Sequence, residues 1–240
     1  MKTLVVHAHP EPQSFNSAMA ARLVDAFKAR GDEVATSDLY QMGFNPVASA
    51  ADFPERGNPE YLNYALEQRH GVKTETIAPD IRAELDKLLW CDTLVLNFPI
   101  FWFSTPAILK GWIDRVFVSG AVYGGRAFYD KGRLRGRRAM VSVSLGGRTN
   151  MFGPGAVHGP LEDMLRPLLR GTLYYAGFDV VTPFVAHHVP YIDDAARAAL
   201  LEELDAHVAR FDSLETLSFP SLDDFDDQMN PIAAGQGGST

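Results

Sequence analysis

The segment Thr93–Phe98, stopped by Pro99, is apolar at nearly every position, and this constrains the fold more than any other stretch of the chain. A strand that meets water on one face alternates polar and apolar residues. A continuous apolar run means cover on both faces, as in a parallel sheet flanked by helices. Three other segments read as strands of the same sheet: Leu4–His9 before Pro10, Glu33–Leu39, and Ala139–Leu145 before Gly146-Gly147. Phe178–Ala186 makes a fifth. Between them lie segments of helical period. One starts at Ser14-Phe15-Asn16 and carries Met19, Leu23, Val24 and Phe27; another runs Pro79–Leu89. A third opens at Thr105-Pro106 and places Ile108, Leu109, Trp112, Ile113 and Val116 on one face. Pro160–Ala176 and Asp193–Phe211 complete the set. Strands alternating with helices predict an α/β fold, a doubly wound five-stranded parallel sheet. Phe44–Ile77 lacks this periodicity and forms a long insertion after the second strand, with a short helix near Tyr61–Gln68. Long loops in compact domains are usually functional or form interfaces.

Composition excludes several classes. One cysteine among 240 residues, Cys91, allows no internal disulfide and no multi-cysteine metal site; beside Trp90 it reads as a core residue. A net charge of −8, from 22 basic and 30 acidic residues, argues against nucleic acid, which needs clustered Lys and Arg. No apolar run is long enough to span a membrane, and the N-terminus lacks signal-peptide character, so a cytoplasmic setting is expected. The domain is expected over 1–212, followed by a partly disordered acidic tail over 213–240. Asp223-Asp224 and Asp226-Asp227 would be solvated there, and Gly235–Thr240 would form a disordered tip.

In a doubly wound sheet, ligands bind beyond the carboxyl ends of the strands. No G-x-G-x-x-G or Walker loop is present. After the first strand comes His9-Pro10-Glu11-Pro12-Gln13-Ser14-Phe15-Asn16, where a helix start offers backbone N–H groups to a phosphate; Ser14 serves equally as a simple N-cap. After the third strand, Pro99-Ile100-Phe101-Trp102-Phe103 puts three aromatics in a loop, which suits a planar ring. After the fourth, Ser144-Leu145-Gly146-Gly147 allows close backbone approach, and His158 lies in a Gly-rich loop where an imidazole can exchange protons or simply be structural. His187-His188 with Asp193-Asp194 makes a poor metal set without a second cluster. Lys131–Arg138 reads as a solvated basic loop. The polar residues of Ile108–Phe117 read as an ion-pair network, and its Gly111 as a point of close contact with another helix.

Together these segments resemble the flavodoxin-like NAD(P)H:quinone oxidoreductases, the DT-diaphorase family, from residue 1 to about 230. The resemblance also rests on Ser37-Asp38-Leu39-Tyr40, Phe44-Asn45-Pro46, Pro106–Trp112, Tyr129-Asp130-Lys131-Gly132 and His158-Gly159. It implies FAD, or alternatively FMN, with the pyrophosphate at His9, Ser14, Phe15 and Asn16 and with Ala18 as a further cofactor contact. The ring would lie between Pro99–Phe103 and Ser144–Gly147, with Arg197 and Leu201 at the adenosine end. It implies a ping-pong reaction in which NAD(P)H reduces the flavin and a quinone or related planar acceptor reoxidises it. His158 would handle the proton beside Phe152, which stands where the family usually has Tyr. Gly124-Gly125 replace a bulky lid. The resemblance further implies a homodimer with active sites at the interface, contacts from Tyr61–Gln68 and the Trp112 helix, and Tyr123 with residues 53–64 completing the neighbouring site. Two alternatives share the fold: an FMN-type azo- or nitro-reductase, and a flavin-containing regulatory subunit of a potassium efflux system. A short electron carrier fits less well, because it would lack the 44–77 excursion.

Overall fold

The computed structural model describes residues 1–232, and the predicted disordered tip at Gly235–Thr240 lies outside them. Four long parallel strands form the sheet: β1 (Lys2–His7), β2 (Glu33–Asp38), β3 (Thr93–Pro99) and β4 (Arg138–Ser144). Their order is β2-β1-β3-β4. The chain therefore reverses its winding between β1 and β3, and a crevice opens above their carboxyl ends. The predicted fifth strand is broken into β5 (Asp179–Val180) and β6 (Phe184–Ala186), both paired parallel to β4. The break has a local cause. Thr182 turns its N–H to Glu215, Val181 bridges to Thr216, and Pro183 has no N–H to give.

Period-two alternation divides the core. Val5, Val95 and Met140 face α1 (Phe15–Ala29) and α6 (Asp194–Ala209), meeting Met19, Leu23, Phe27, Leu204 and Val208. Leu4, Leu94, Leu96, Val141 and Val143 face the other way, toward α3 (Pro79–Trp90), α4 (Ala107–Val116) and α5 (Leu161–Leu168). Each fully buried Leu or Phe contributes roughly 1.5–3 kcal/mol of transfer free energy. This two-sided demand is why β3 is buried at every position. Cys91 belongs to the second cluster, and burial pushes its thiol up to about 12, so it stays protonated.

The helix predicted over 160–176 changes pitch. After α5 the chain widens into a π-helix, Leu169–Tyr174. Pro167 cannot donate, and its carbonyl instead accepts the Thr172 hydroxyl. The excursion after β2 holds more structure than expected. A 3₁₀ turn covers Ala50–Asp52, and α2 runs Tyr64–Thr74, six residues past the predicted end. Its anchor is ionic. Arg115 of α4, 3% exposed, bonds to Asp52, 2% exposed, as well as to Asp80 and the Asn45 carbonyl. Gly111 packs against Pro46 of this excursion rather than against a helix; a Cβ there would collide with the Pro46 backbone.

The basic run also departs from expectation. Arg137 caps the last carbonyls of α3 (Leu88, Leu89 and Cys91), and Arg138 bonds to Phe211 and Leu214 carbonyls, so both are structural. The acidic segment from 213 runs back across the domain. Leu217 N–H bonds to Val180, Ser221 and Leu222 bond to Asp130, and Lys131 pairs with Asp223. Among the described residues no helix is long and apolar enough to cross a membrane, and no group of histidine, cysteine or carboxylate side chains is arranged to hold a metal, His187-His188 included.

Candidate active site at the strand ends

Above the switch point lies a buried hydrogen-bonded cluster. Asn97, at the end of β3, donates to His7 Nδ1 at 2.9 Å, to the Asn16 carbonyl at 2.9 Å and to Asn16 Oδ1 at 3.2 Å. Because His7 Nδ1 accepts, its Nε2 carries the proton and faces Ser17 Oγ at 3.1 Å. Ser17 Oγ in turn donates to the Glu11 carbonyl at 2.9 Å. Asn16 Nδ2 reaches Ser144 Oγ at 3.3 Å, which ties the start of α1 to the end of β4. Burial of His7 pushes its pKa below the usual imidazole value against the nearby Asp38 charge, so the ring is neutral at pH 7.

This cluster fixes the start of α1 with Ser14 as its N-cap, the Ser14 hydroxyl accepting from Ser17 N–H. The N–H groups of Phe15 and Asn16 find no acceptor among the described residues. Two aligned donors at the positive end of a helix form a cradle for a phosphate. His9 sits at the mouth, its Nδ1 accepting the Glu11 N–H, and Ala18 is exposed one turn further along. Ser14 is thus cap and rim at once.

The aromatic loop after β3 turns sharply. Trp102 (φ 49°) and Phe103 (φ 61°) both occupy the left-handed region, closed by paired backbone bonds between Phe101 and Ser104. Bulky residues there are uncommon and strained, a cost of order 1–3 kcal/mol each that tends to mark functional segments. Trp102 is 96% exposed. Across a cavity of about 230 Å³ from this loop stand Leu145-Gly146-Gly147, Phe152 and His158. Pro99 is buried in the strand, Ile100 donates its N–H to the Ser144 carbonyl, and Met164 of α5 closes the floor. His158 packs edge-on against Phe103 (ring centroids 5.3 Å apart) and lies 5.2 Å from Phe152. Neither of its ring nitrogens has a partner among the described residues. The N–H groups of Gly146 and Gly147 are likewise without acceptors. A Cβ on Gly147 would press on the edge of the Phe152 ring at 2.8 Å, so the glycine makes room for that ring beside the turn.

The structure therefore brings together Ile100, Trp102, Phe103, Leu145–Gly147, Phe152 and His158 around one slot, with Ser14, Phe15 and Asn16 beside it. Arg197 and Leu201 do not line that slot. They lie on α6, where Arg197 bonds to Asp194 and the Val189 carbonyl, and Leu201 shares an apolar cluster with Phe15. Sequence reasoning missed His7, Asn97, Ser17 and Met164. The first two sit inside strands that read simply as apolar runs, so their polar atoms carried no signal. The Trp112 side chain is fully buried, its indole N–H bonded to Glu84, so this residue of α4 belongs to the core. A larger cavity of about 710 Å³ runs from His9 and Ser17 along α1 to the end of β2, where Asp25 and Asp38 line it.

A doubly wound parallel sheet with an anion cradle and a planar-ring slot at its switch point defines the flavodoxin-like α/β class. Comparison agrees: residues 1–208 match the family described as flavodoxin-like fold, and the chain belongs to it. The ribosyldihydronicotinamide dehydrogenase (quinone) of Pongo abelii is 40% identical over 186 residues, 77% of this chain and 80% of that protein. The NAD(P)H dehydrogenase (quinone) 1 of Rattus norvegicus is 39% identical over 202 residues, 84% of this chain and 74% of that protein. A solved structure from Klebsiella pneumoniae, described provisionally as a quinone reductase, superposes with a TM-score of 0.92 at 34% identity, covering 100% of this chain and 98% of that one.

Proposed function

We propose that the protein is a flavin-dependent NAD(P)H:quinone oxidoreductase working by two-electron, ping-pong exchange in the slot. The observation that carries this reading is the slot itself, a flat aromatic-walled space with unpaired N–H donors on one edge and a free imidazole on another. The residues present fit a flavin: Phe15 and Asn16 N–H groups suit its pyrophosphate, and Gly146 and Gly147 N–H groups suit the polar rim of its ring. The flavin is read as FAD, with FMN as the alternative; Leu201 packs in the same apolar cluster as Phe15, which places this part of α6 near the phosphate cradle. When bound, the flavin supplies the hydride chemistry, accepting from NAD(P)H and giving to the quinone.

The protein's own part is positioning and proton handling. Trp102 and Phe103 hold a planar substrate parallel to the slot, and Phe152 packs against the Gly147 turn. His158 stores or returns a proton at a ring nitrogen. Phe152 has no hydroxyl, so His158 works without a phenolic partner. The protein is read as a cytoplasmic homodimer, in which a partner covers Trp102, Phe101, Tyr61 and Leu66, all large apolar side chains left exposed. His158→Gln tests the proton role. Quinone-dependent NAD(P)H oxidation is expected to fall about tenfold or more, with a flattened pH profile. An unchanged rate and profile removes His158 from the mechanism. Release and identification of the bound flavin tests the cofactor.

A further inference from the structure

On the far side of the Gly146–Gly147 turn a second cleft of about 500 Å³ opens between the β4–α5 loop, the end of β6 and α6. Arg148, Thr149, His187 and His188 crowd one end of it, and Glu203 stands at the α6 side. The Arg148 guanidinium is held in place: its Nε donates to His188 Nε2 at 3.3 Å, and His188 Nδ1 donates to the Gly146 carbonyl at 3.0 Å. One imidazole nitrogen accepting while the other donates makes His188 neutral, so Arg148 carries the charge. Among the described residues the two terminal guanidinium nitrogens have no partner, and Arg148 pairs with no carboxylate. Beside it, His187 Nδ1 is buried without a hydrogen-bond partner, and its ring lies 5.5 Å from Phe152. An arginine anchored at Nε by a neutral histidine, lining a cleft with its terminal nitrogens unpartnered among the described residues, suits a phosphate, which takes two parallel N–H bonds. No Lys or Arg lines the slot itself, and slot and cleft share the turn that carries Gly146, Gly147 and Arg148.

We propose that this cleft receives the adenosine 2′-phosphate of NADPH, and that Arg148 thereby selects NADPH over NADH. This rests on the NAD(P)H-oxidising reading of the slot. The nicotinamide lies in the slot, and the phosphate end crosses the glycine turn to meet Arg148 and the Thr149 hydroxyl. His187, kept neutral by burial, lines the same cleft without adding charge.

The test uses flavin-loaded protein and three reductants: NADPH, NADH and dihydronicotinamide riboside, which lacks the adenosine half. NADPH is expected to show a kcat/KM at least about tenfold above NADH, the size of one charge-assisted contact. Arg148→Ala should erase that advantage through KM, while Arg148→Lys keeps part of it and the riboside rate changes far less than the NADPH rate. In calorimetry, 2′,5′-ADP should bind the parent protein and lose affinity in Arg148→Ala, whereas 5′-AMP should bind both alike. An NADPH:NADH ratio untouched by Arg148→Ala overturns the assignment. So does inorganic phosphate that displaces 2′,5′-ADP at equal concentration, which marks a general anion site. If none of the three reductants bleaches the flavin, the oxidoreductase reading fails, and the calorimetry still decides the cleft by itself.

Discussion

The cradle beneath α1 and the aromatic loop after β3 lie side by side at the strand ends, yet they are built on opposite principles. Around Asn97, His7, Asn16 and Ser17, polar groups are buried and joined in a chain of hydrogen bonds. At Phe101–Phe103, large apolar rings stand in water on a left-handed turn. The first arrangement spends its polar groups on rigidity, so that two helix-start donors point one way before anything binds. The second leaves apolar surface uncovered, which is favourable only if a ring or another protein surface covers it. A site that must hold one group permanently and exchange others repeatedly needs both.

Breaking the cradle should cost the most. Asn97→Leu keeps the volume but strands the His7 ring nitrogen and the Asn16 side-chain oxygen, at about 1–3 kcal/mol for each group left unsatisfied. Urea denaturation should show a loss of about 3 kcal/mol together with loss of flavin retention. A loss under about 0.5 kcal/mol would mean the cluster is not structurally important. Trp102→Ala should separate the two regions. Being almost wholly exposed, it should leave stability within about 0.5 kcal/mol while quinone kcat/KM falls about tenfold. Equal losses of stability and activity would show that the loop is not the independent element described.

The smallest effect is on pH. His7, His187 and His207 are all held below the usual imidazole value of 6.5, chiefly by burial. In the unfolded chain they take up protons near 6.5, while in the folded chain they do so only at lower pH. Their contribution to stability is therefore whole above 6.5 and is lost as the pH falls from 6.5 toward the folded values. Thermal unfolding at stepped pH should show this decline, and His7→Gln should make it shallower. A slope that His7→Gln leaves unchanged would place the titration elsewhere.

Much of the slot was legible because its residues are out of place as ordinary loop. Three aromatics after a strand, a Gly-Gly turn and a histidine among small residues each conflict with their local setting. The anchors were not legible. Asp52 and Arg115 look like solvated charges until the fold buries them together, and Arg138 looks like one member of a basic loop until it caps carbonyls beside Phe211. Asn97 is hidden for the opposite reason, since one amide in an apolar strand reads as an interruption. Arg148, too, gains meaning only when His188, forty residues away, is seen to hold it.

The sequence by itself determined the alternation of strands and helices and the two-sided burial of β3, because hydrophobic period is a local property. It also determined which loops follow the strands, and so where a ligand must bind. Only the tertiary structure decided where the fifth strand breaks, which charges are anchors, and that slot and cleft share one turn. Those outcomes depend on pairing between residues distant in the chain. Whether Thr182 bonds to the sheet or to Glu215 is settled by what the returning chain offers it, and no local pattern records that.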